Sequence, residues 1–314
     1  MTAQQLTDET AFAEVVERHR RELQVHCYRM LGSFEEAEDL TQETFLRAWR
    51  RRETYEGRAS LRAWLYRIAT NACLDALEKR PRTPEPNGEV AWLQPYPDEL
   101  LEEIPADDEL DAEVVARETI ELAFMVAIQH LAPRPRAVMI MRDILGWSAK
   151  ETAEALGISV AGVNSALQRA RAGLKEHLPE KRLEWDAPGS RAERELLARY
   201  MEASDNADAH ALAALMHEDA RFSMPPEPGL WIGRDRIVST WIQGGFGSEE
   251  FGRLKTLETR ANRQPAIANY LLKPGDDTYR SMALDVLTIK NGKITEIVTF
   301  GSKTFGWFGL PDTL

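Results

Sequence analysis

The chain has 314 residues, which is enough for two or three domains of ordinary size. With 43% apolar residues, 29% charged residues, 19 Gly and 16 Pro, it cannot be collagen-like, low-complexity or disulfide-rich. No stretch approaches about 18 uninterrupted apolar residues, and the first residues lack a basic start and an apolar signal core, so we expect a cytoplasmic protein. Cys27 and Cys73 are the two cysteines, with no CxxC motif, and we therefore expect no metal and no cofactor.

The charge is unevenly distributed, although the net charge of −12, taken as an average, argues against nucleic-acid binding. Residues 47–80 hold 9 basic and 4 acidic groups, whereas residues 81–113 hold 1 basic and 11 acidic groups. Salt confines each local field to about 10 Å at 0.1 M, so a positive stretch can still attract nucleic acid.

Helical periodicity characterises the first 80 residues. From Leu61 the apolar residues recur at three- and four-residue spacing as far as Ala76, which predicts one buried stripe on a helix. Trp64 lies on that stripe, which favours a core position for it. Earlier repeats within residues 12–16 and 40–49 predict further helices, separated near Gly32.

An acidic segment with six prolines follows. Because proline disfavours both helix and central strand, it predicts an extended linker over residues 81–110. Helical patterns resume at about Asp111 and continue to about Leu178, with breaks at residues 133–135 and at Gly146.

The sharpest local signal is residues 147–171. Ala153, Gly157 and Val163 occupy the positions where a helix-turn-helix needs a small crossing residue, a turn residue of positive φ and an apolar anchor. Ser159 is placed to cap the second helix. Asn and Gln can read base edges, and Arg suits phosphates. The exposed face would present Ala161, Asn164, Ser165, Gln168, Arg169 and Arg171. An ordinary αα-hairpin with a glycine cap is the alternative.

Together with two earlier runs, this segment resembles the extracytoplasmic-function sigma factors of bacterial RNA polymerase. Residues 38–49 (EDLTQETFLRAW) resemble the polymerase-binding helix of sigma domain two, and residues 55–71 (YEGRASLRAWLYRIATN) resemble its promoter-melting segment. The resemblance implies sigma domain two at 8–80, which would bind core polymerase and the minus-ten element. It also implies sigma domain four at 111–178, which would bind the minus-thirty-five element.

The resemblance also implies roles for individual residues. Tyr55, Arg58 and Asn71 match a pocket that captures unstacked bases, and stacking is worth about 1–3 kcal/mol per base. The phosphate track would consist of Arg62, Arg67, Lys79 and Arg80. One departure is a neutral start to the recognition helix, where more basic residues are usual. Upstream promoter contacts would then rely more on hydrogen bonds and DNA shape.

An acidic and amide patch is expected on the earlier helix. Asp39, Gln42 and Glu43 lie at i, i+3 and i+4, and the resemblance implies that they bind the clamp helices of the largest polymerase subunit. Without the resemblance they would be a solvated face. The acidic linker would thread a channel built for RNA, where it could imitate a nucleic-acid backbone or serve solubility alone.

The remainder of the chain has an α+β pattern. Helical patterns at 190–204, 208–217 and 234–242 accompany strand-like runs at 220–224, 253–263, 266–273, 279–290 and 293–300. Asn291-Gly292 predicts a type I′ hairpin between the last two. Runs at 198–208, 217–222 and 233–237 resemble the SnoaL-like cone shared with ketosteroid isomerases and polyketide cyclases. The resemblance implies a regulatory domain at 190–314.

The fold of this third domain raises the question of catalysis. Tyr200 matches the tyrosine of the isomerases and Asp285 matches their protonated acid, but the position of the base falls at Met224. A thioether cannot abstract a proton, so we expect no enzyme activity. The mouth of the cone would be lined by Tyr200, Met224, Trp231, Trp241 and Tyr270. It would bind an apolar small molecule or be filled by its own side chains.

The first hypothesis is therefore a multidomain sigma factor, with two all-α sigma domains followed by an α+β SnoaL-like cone. Its partners would be core RNA polymerase, promoter DNA and a small-molecule ligand of the cone, with no membrane, and the cone would regulate activity in cis. The alternatives are a DNA-tethered isomerase or cyclase and a helix-turn-helix regulator that acts without polymerase.

Overall fold

The computed structural model describes residues 8–55, 57, 60–79, 93–101, 122–177, 189–227 and 229–314. The chain divides into two compact units, one comprising Met1–Gln94 with Leu100–Leu178 and the other comprising Pro95–Glu99 with Pro179–Leu314. Arg58, Arg80 and most of the predicted linker lie outside the described residues. Pro95–Glu99 belongs to the second unit, whereas the sequence suggested a continuous tether between domains.

In the described part of the first unit, residues 8–79 contain the α-helices α1 (Glu9–Glu17), α2 (Arg20–Leu31), α3 (Phe34–Arg50) and α4 (Leu61–Lys79). Helices α2, α3 and α4 pack on one another. The predicted stripe on α4 is buried from Trp64 to Ala72 and half-buried at its ends, Leu61 and Ala76. Gly32 ends α2 with φ of +70°, and the Ser33 hydroxyl then accepts from the Glu36 N–H to begin α3. The helix break predicted near Gly32 is confirmed.

The same unit continues with α5 (Leu122–Gln129), α6 (Pro133–Met139), α7 (Ala149–Leu156) and α8 (Val160–His177). Pro133 occupies the first turn of α6, where its missing N–H costs nothing, so the prolines begin a helix as well as separating two. A π-helical turn over Ile140–Ile144 leads to Gly146, whose φ is +71°. The break predicted at Gly146 is confirmed, whereas the break predicted at residues 133–135 lies just before them, at residues 130–132.

The second unit is the predicted α+β domain. Its helices are α9 (Arg191–Asp205), α10 (Ala209–Leu215) and α11 (Arg234–Gln243). Its strands are β1 (Met216–Ser223), β2 (Leu230–Ile232), β3 (Arg253–Ala261), β4 (Gln264–Leu272), β5 (Arg280–Lys290) and β6 (Lys293–Gly301). The strand order among the described residues is β2-β1-β6-β5-β4-β3, antiparallel except for the parallel pair β1 and β6. A 3-10 segment, Ser302–Phe308, follows the last strand.

The sheet separates two apolar clusters. Alternation along β4 directs Ile267 to one cluster, which holds the helices α9 and α10, and directs its neighbours Ala266 and Ala268 to the other, which holds Phe305 and Phe308. The Asn291-Gly292 hairpin is confirmed, with both residues at positive φ. The short edge strand β2 and the 3-10 segment were not predicted.

Of the helices that the structure describes, none combines the length and the apolar character needed to cross a bilayer.

Candidate nucleic-acid and partner interfaces

Helices α7 and α8 form the predicted helix-turn-helix. A capping box begins α7, because the Ser148 hydroxyl accepts from the Glu151 N–H while the Glu151 carboxylate accepts from the Ser148 N–H. Gly157 ends α7 with φ of +64°, a conformation that favours glycine. The Ser159 hydroxyl accepts from the Gly162 N–H at 3.0 Å, so Ser159 begins α8 as predicted. Val163 anchors α8 in the core.

The outer face of α8 carries the six residues that the sequence selected for DNA contact. All six are exposed, namely Ala161, Asn164, Ser165, Gln168, Arg169 and Arg171. Arg171 forms a bidentate ion pair with Asp143, at 2.9 and 2.6 Å, which keeps its guanidinium at the surface. The face therefore offers amide and hydroxyl groups first and cations in its later turns.

The predicted base pocket and phosphate track lie around α4. The Tyr55 ring is half-buried and lies 5.4 Å from the Trp64 ring. Arg67 and Lys79 are exposed. Arg62 differs, because its Nε donates to the Glu22 carboxylate at 2.6 Å. Arg58 and Arg80 lie outside the described residues.

Glu22 explains why Arg62 is held inward. Burial of Glu22 opposes ionisation, but hydrogen bonds from His19 and Arg62 and the charge of Arg62 outweigh it, so the pKa of Glu22 falls below its usual value. The Arg62 guanidinium also lies 5.2 Å from the Tyr66 ring. Arg62 thus stabilises the contact between α2 and α4, which the spacing of the sequence did not reveal.

Asn71 points towards the helix-turn-helix. Its amide donates to the Arg67 carbonyl at 2.9 Å and approaches the carbonyl of Ala155, on α7, at 3.4 Å. The predicted base-binding amide is therefore engaged by protein groups. Tyr55 and Asn71 remain half-buried, so the surface is not enclosed by the core.

The patch predicted to bind polymerase lies on α3. Asp39 and Gln42 are exposed. Glu43 accepts from Arg47 at 2.8 Å, and Arg47 also donates to Asp75 on α4 at 2.8 Å. Leu46 is 52% exposed on the same helix, and the sequence analysis did not select it. Leu46 lies four residues after Gln42, so the two residues share one face of an amphipathic helix, and this spacing could have predicted that Leu46 is exposed.

A buried polar cluster lies inside the second unit. The Asp285 carboxylate accepts hydrogen bonds from Tyr200 Oη at 3.1 Å, Asn269 Nδ2 at 2.8 Å and Thr299 Oγ1 at 2.5 Å. Burial raises the pKa of Asp285, while these hydrogen bonds lower it in part. Burial and the adjacent carboxylate raise the pKa of Tyr200. Sequence reasoning selected Tyr200 and Asp285 but missed Asn269 and Thr299.

The other residues predicted to line the pocket do not lie in one place. Trp231 and Trp241 lie beside Phe222, at centroid distances of 5.4 and 5.5 Å, and pack against the cluster that contains Tyr200. Met224 is 41% exposed. Tyr270 packs in the other cluster, and its hydroxyl donates to the Pro311 carbonyl at 2.9 Å. Because neighbouring strand residues face opposite sides of the sheet, Tyr270 is not brought together with Tyr200.

A short segment of the predicted linker is bound within the second unit. Tyr96 is fully buried, its N–H donates to the Asn262 side-chain oxygen at 2.9 Å, and its carbonyl accepts from the Asn262 N–H at 3.0 Å. The Asp98 carboxylate accepts from the Arg263 N–H at 2.9 Å and lies 3.7 Å from the Arg260 guanidinium. An aromatic residue among prolines was the signal that could have predicted this contact.

The hairpin between β3 and β4 creates this binding site. Asn262 and Arg263 have φ values of 51° and 61°, the conformation of a type I′ turn. Pro97 pairs with Ala261 as an isolated antiparallel bridge. The segment thus contacts the end of β3 through a single bridge and continues as a 3-10 turn over Asp98–Leu101.

Family models match three parts of the chain. Sigma-70 region 2 matches residues 15–83, Sigma-70 region 4 matches residues 121–174, and the SnoaL-like domain matches residues 197–297. The order of the three matches agrees with the order of the helical and mixed parts of the structure.

Two curated proteins and one crystal structure are similar to the chain. ECF RNA polymerase sigma factor SigG of Mycobacterium tuberculosis is 41% identical, over 96% of this chain and 85% of its own length. SigW of Bacillus subtilis is 32% identical, over 54% of this chain and 90% of its own length. The crystal structure of M. tuberculosis SigJ, 24% identical, has a TM-score of 0.57 and covers 96% of this chain and all of that one, which indicates a shared fold.

Proposed function

The chain belongs to the extracytoplasmic-function sigma factors of RNA polymerase, and on that premise we propose that it directs core polymerase to promoters through two DNA-reading surfaces. Helix α8 would read the upstream element, and the surface around Tyr55 and Asn71 would hold the separated strand of the downstream element. Helix α3 would bind the polymerase through Asp39, Gln42 and Glu43.

The exposed face of α8 is the observation that carries this proposal. Asn164 and Gln168 lie four residues apart and are both exposed, so their amides share one side of the helix. Amide groups can form paired hydrogen bonds with adenine in the major groove. Arg169 and Arg171 follow on later turns, where phosphates would fix the register of the helix.

In vitro transcription with core polymerase and fragments of genomic DNA tests the proposal. We expect defined transcript starts that require the chain. Asp39→Lys should reduce polymerase binding by at least about tenfold, because an acidic patch suits a basic partner surface, which a lysine would repel. Glu14→Lys on α1, also exposed, is the matched control for charge reversal.

Two results would contradict the proposal. Specific DNA binding without any effect of polymerase would indicate the alternative regulator that acts alone. Transcript starts that are unchanged by Gln168→Ala and Asn164→Ala together would remove α8 as the reader of the upstream element.

We also propose that the SnoaL-like domain regulates initiation in cis by holding the segment Tyr96-Pro97-Asp98. That segment lies between the two sigma regions in the sequence, so its position bears on how those regions can move. Its contacts with Asn262, Arg263 and Arg260 support the proposal. Variants that release it should change transcript yield, and equal yields would contradict this role.

The domain itself needs no catalysis. Asp285 accepts three hydrogen bonds, and Tyr200 directs its proton at that carboxylate, so both groups are already engaged with protein. An oxyanion hole requires donors that are free to meet substrate. A ketosteroid assay with the full chain tests this proposal. We expect no turnover, and turnover that disappears in Tyr200→Phe would instead favour an enzyme.

A further inference from the structure

One face of the recognition helix α8 is exposed from its first turn. Val163 and Leu167 lie on the opposite side of the helix and are buried. Exposed residues recur on the outer side at spacings of three and four, so they share one face. We call this set the reading face: Ala161, Asn164, Ser165 and Gln168. A recognition helix meets base edges with residues of its first turns, so this is the face that enters a major groove.

The reading face carries no charged side chain. The nine residues from Val160 to Gln168 include neither Lys nor Arg, although a Lys or Arg paired with guanine O6 and N7 is the commonest base-specific contact. The same nine residues include neither Asp nor Glu, which accept from the cytosine amine. A G·C pair therefore meets none of the charged groups that usually read it.

The groups that are present on the reading face suit A·T pairs. The amides of Asn164 and Gln168 each hold a donor and an acceptor, which match the N7 and the amine of adenine. The Ala161 methyl group is apolar, as a contact with the thymine methyl requires. The Ser165 hydroxyl donates or accepts and adds no preference. Three of the four side chains thus favour the same kind of base pair.

The two arginines that follow lie beside the reading face. At 3.6 residues per turn, Arg169 is turned about 100° to one side of Gln168 and Arg171 about 60° to the other side. A helix in a major groove has a phosphate backbone on each side, so each arginine is placed for phosphates. Asp143 also holds Arg171, accepting from Nε at 2.9 Å and from Nη2 at 2.6 Å. This ion pair fixes the guanidinium on the flank of the helix, away from base edges.

The spacing of the two amides determines which base pairs they reach. Asn164 and Gln168 are four residues apart, which is a rise of about 6 Å along the helix. Successive base pairs are about 3.4 Å apart along the duplex. The two amides therefore reach base pairs that are one or two steps apart within a single element.

We propose that α8 selects an upstream element of A·T pairs, with Asn164 and Gln168 as its specificity-determining residues. Arg169 and Arg171 contact phosphates and bind every sequence alike. The inference rests on the proposed function, because it assigns base preferences to the helix that would read the upstream element. Each paired amide should favour its base over a wrong one by about 5- to 150-fold in affinity.

A promoter library tests this inference. The full chain and core polymerase transcribe templates in which only the upstream element is randomised, and a barcode in each transcript identifies its template. We expect A·T pairs at two positions that are one or two steps apart, enriched by about 5- to 150-fold over G·C pairs. Equal use of all upstream elements, or enrichment of G·C pairs alone, would overturn the inference.

Two exchanges at neighbouring residues separate base reading from phosphate contact. Gln168→Arg should replace A·T by G·C at one of the two positions, because a guanidinium pairs with guanine O6 and N7. Arg169→Gln, the matched exchange in the other direction, should lower the yield from all templates by a similar factor and weaken its dependence on salt. Both residues are exposed, so the fold should tolerate either change.

The outcomes distinguish this inference from the proposed function. If the wild-type chain with core polymerase initiates from no template and from no genomic fragment, the proposed function fails and the inference fails with it. If it initiates, but Gln168→Arg and Asn164→Ala both keep the wild-type base preference, only the inference is overturned. A base preference that changes in Arg169→Gln would also overturn it, because Arg169 would then read bases.

Discussion

Most of the polar candidate residues of the first unit are exposed, whereas those of the second unit are buried. Helices α3 and α8 turn Asp39, Gln42 and Gln168 outward, whereas the cone turns Tyr200 and Asp285 inward. An exposed amide or carboxylate is available to another molecule, while a buried one already has hydrogen-bond partners within the fold. Burial and hydrogen bonding thus distinguish the residues that we propose for recognition from the residues that lie in the interior of the cone.

Replacement of Asp285 should give the largest effect on stability. Asp285→Leu leaves three buried donors without their acceptor, at about 1–3 kcal/mol for each unsatisfied group, so we expect the cone to lose at least about 3 kcal/mol of unfolding free energy. Hydrogen exchange of the β4 and β5 amides measures this loss within the cone. The exposed Asp276→Leu is the control and should stay within about 0.5 kcal/mol. Equal stabilities would mean that Asp285 is held for a ligand.

The first unit also contains a buried polar residue, His26, which should make its stability depend on pH. Burial, with a smaller contribution from the charge of Arg29, lowers the pKa of His26 to about 3. Between pH 6.5 and 3 the unfolded chain binds a proton that the folded chain does not. Unfolding free energy should therefore fall by about 1.4 kcal/mol per pH unit as pH falls through that window.

Hydrogen exchange of α2 and α4 amides at pH 7 and pH 5 measures this slope. His26→Gln should flatten it, because glutamine does not titrate, and the exposed His210→Gln should not. A slope that persists in His26→Gln would assign the effect to another group.

Gln168→Ala tests the exposed residues of the first unit. Promoter affinity should fall by about 1–3 kcal/mol, because one paired contact to a base is lost. Stability should change by less than about 0.5 kcal/mol, since the side chain is exposed. Fluorescence anisotropy with labelled promoter DNA measures the affinity. Gln243→Ala, an exposed glutamine on α11, is the matched control and should leave affinity unchanged.

The smallest effect is expected at the linker site. Asn262→Gly keeps the positive φ of the hairpin but removes the acceptor for the Tyr96 N–H. Hydrogen exchange of the Tyr96 amide should become about two- to tenfold faster. Asn291→Gly makes the same change in the other hairpin turn and should not alter that rate. Equal rates in the two variants would show that the Asn262 side chain does not hold the segment.

Much of the fold followed from the sequence because its signals are local. Hydrophobic periodicity, the prolines before α6, Gly157 and Asn291-Gly292 each act within a few residues, and the structure has the corresponding helices and turns. The long-range pairings were harder to predict. Nothing near Arg62 in the sequence indicates Glu22, and nothing near Tyr96 indicates Asn262.

The candidate sites divide in the same way. The exposed face of α8 depends on one helix and its caps, so periodicity was sufficient. The cone residues depend on which face of the sheet each strand presents to the helices. Ala266, Ala268 and Tyr270 alternate onto one face of β4 and Ile267 onto the other, but the alternation does not tell which face meets the helices. The predicted mouth therefore included Tyr270, which belongs to the opposite cluster.

The burial of Tyr96 in the second unit has a consequence for dissection of the protein. A chain shortened near Pro188 loses the β3–β4 turn. The Tyr96 ring, which is fully buried in the full-length chain, would then be exposed to water. A change of transcription in that shortened chain would then have two causes. One is the loss of the regulatory domain, and the other is the newly exposed apolar surface of Tyr96. A shortened chain that also carries Tyr96→Ser separates these two causes.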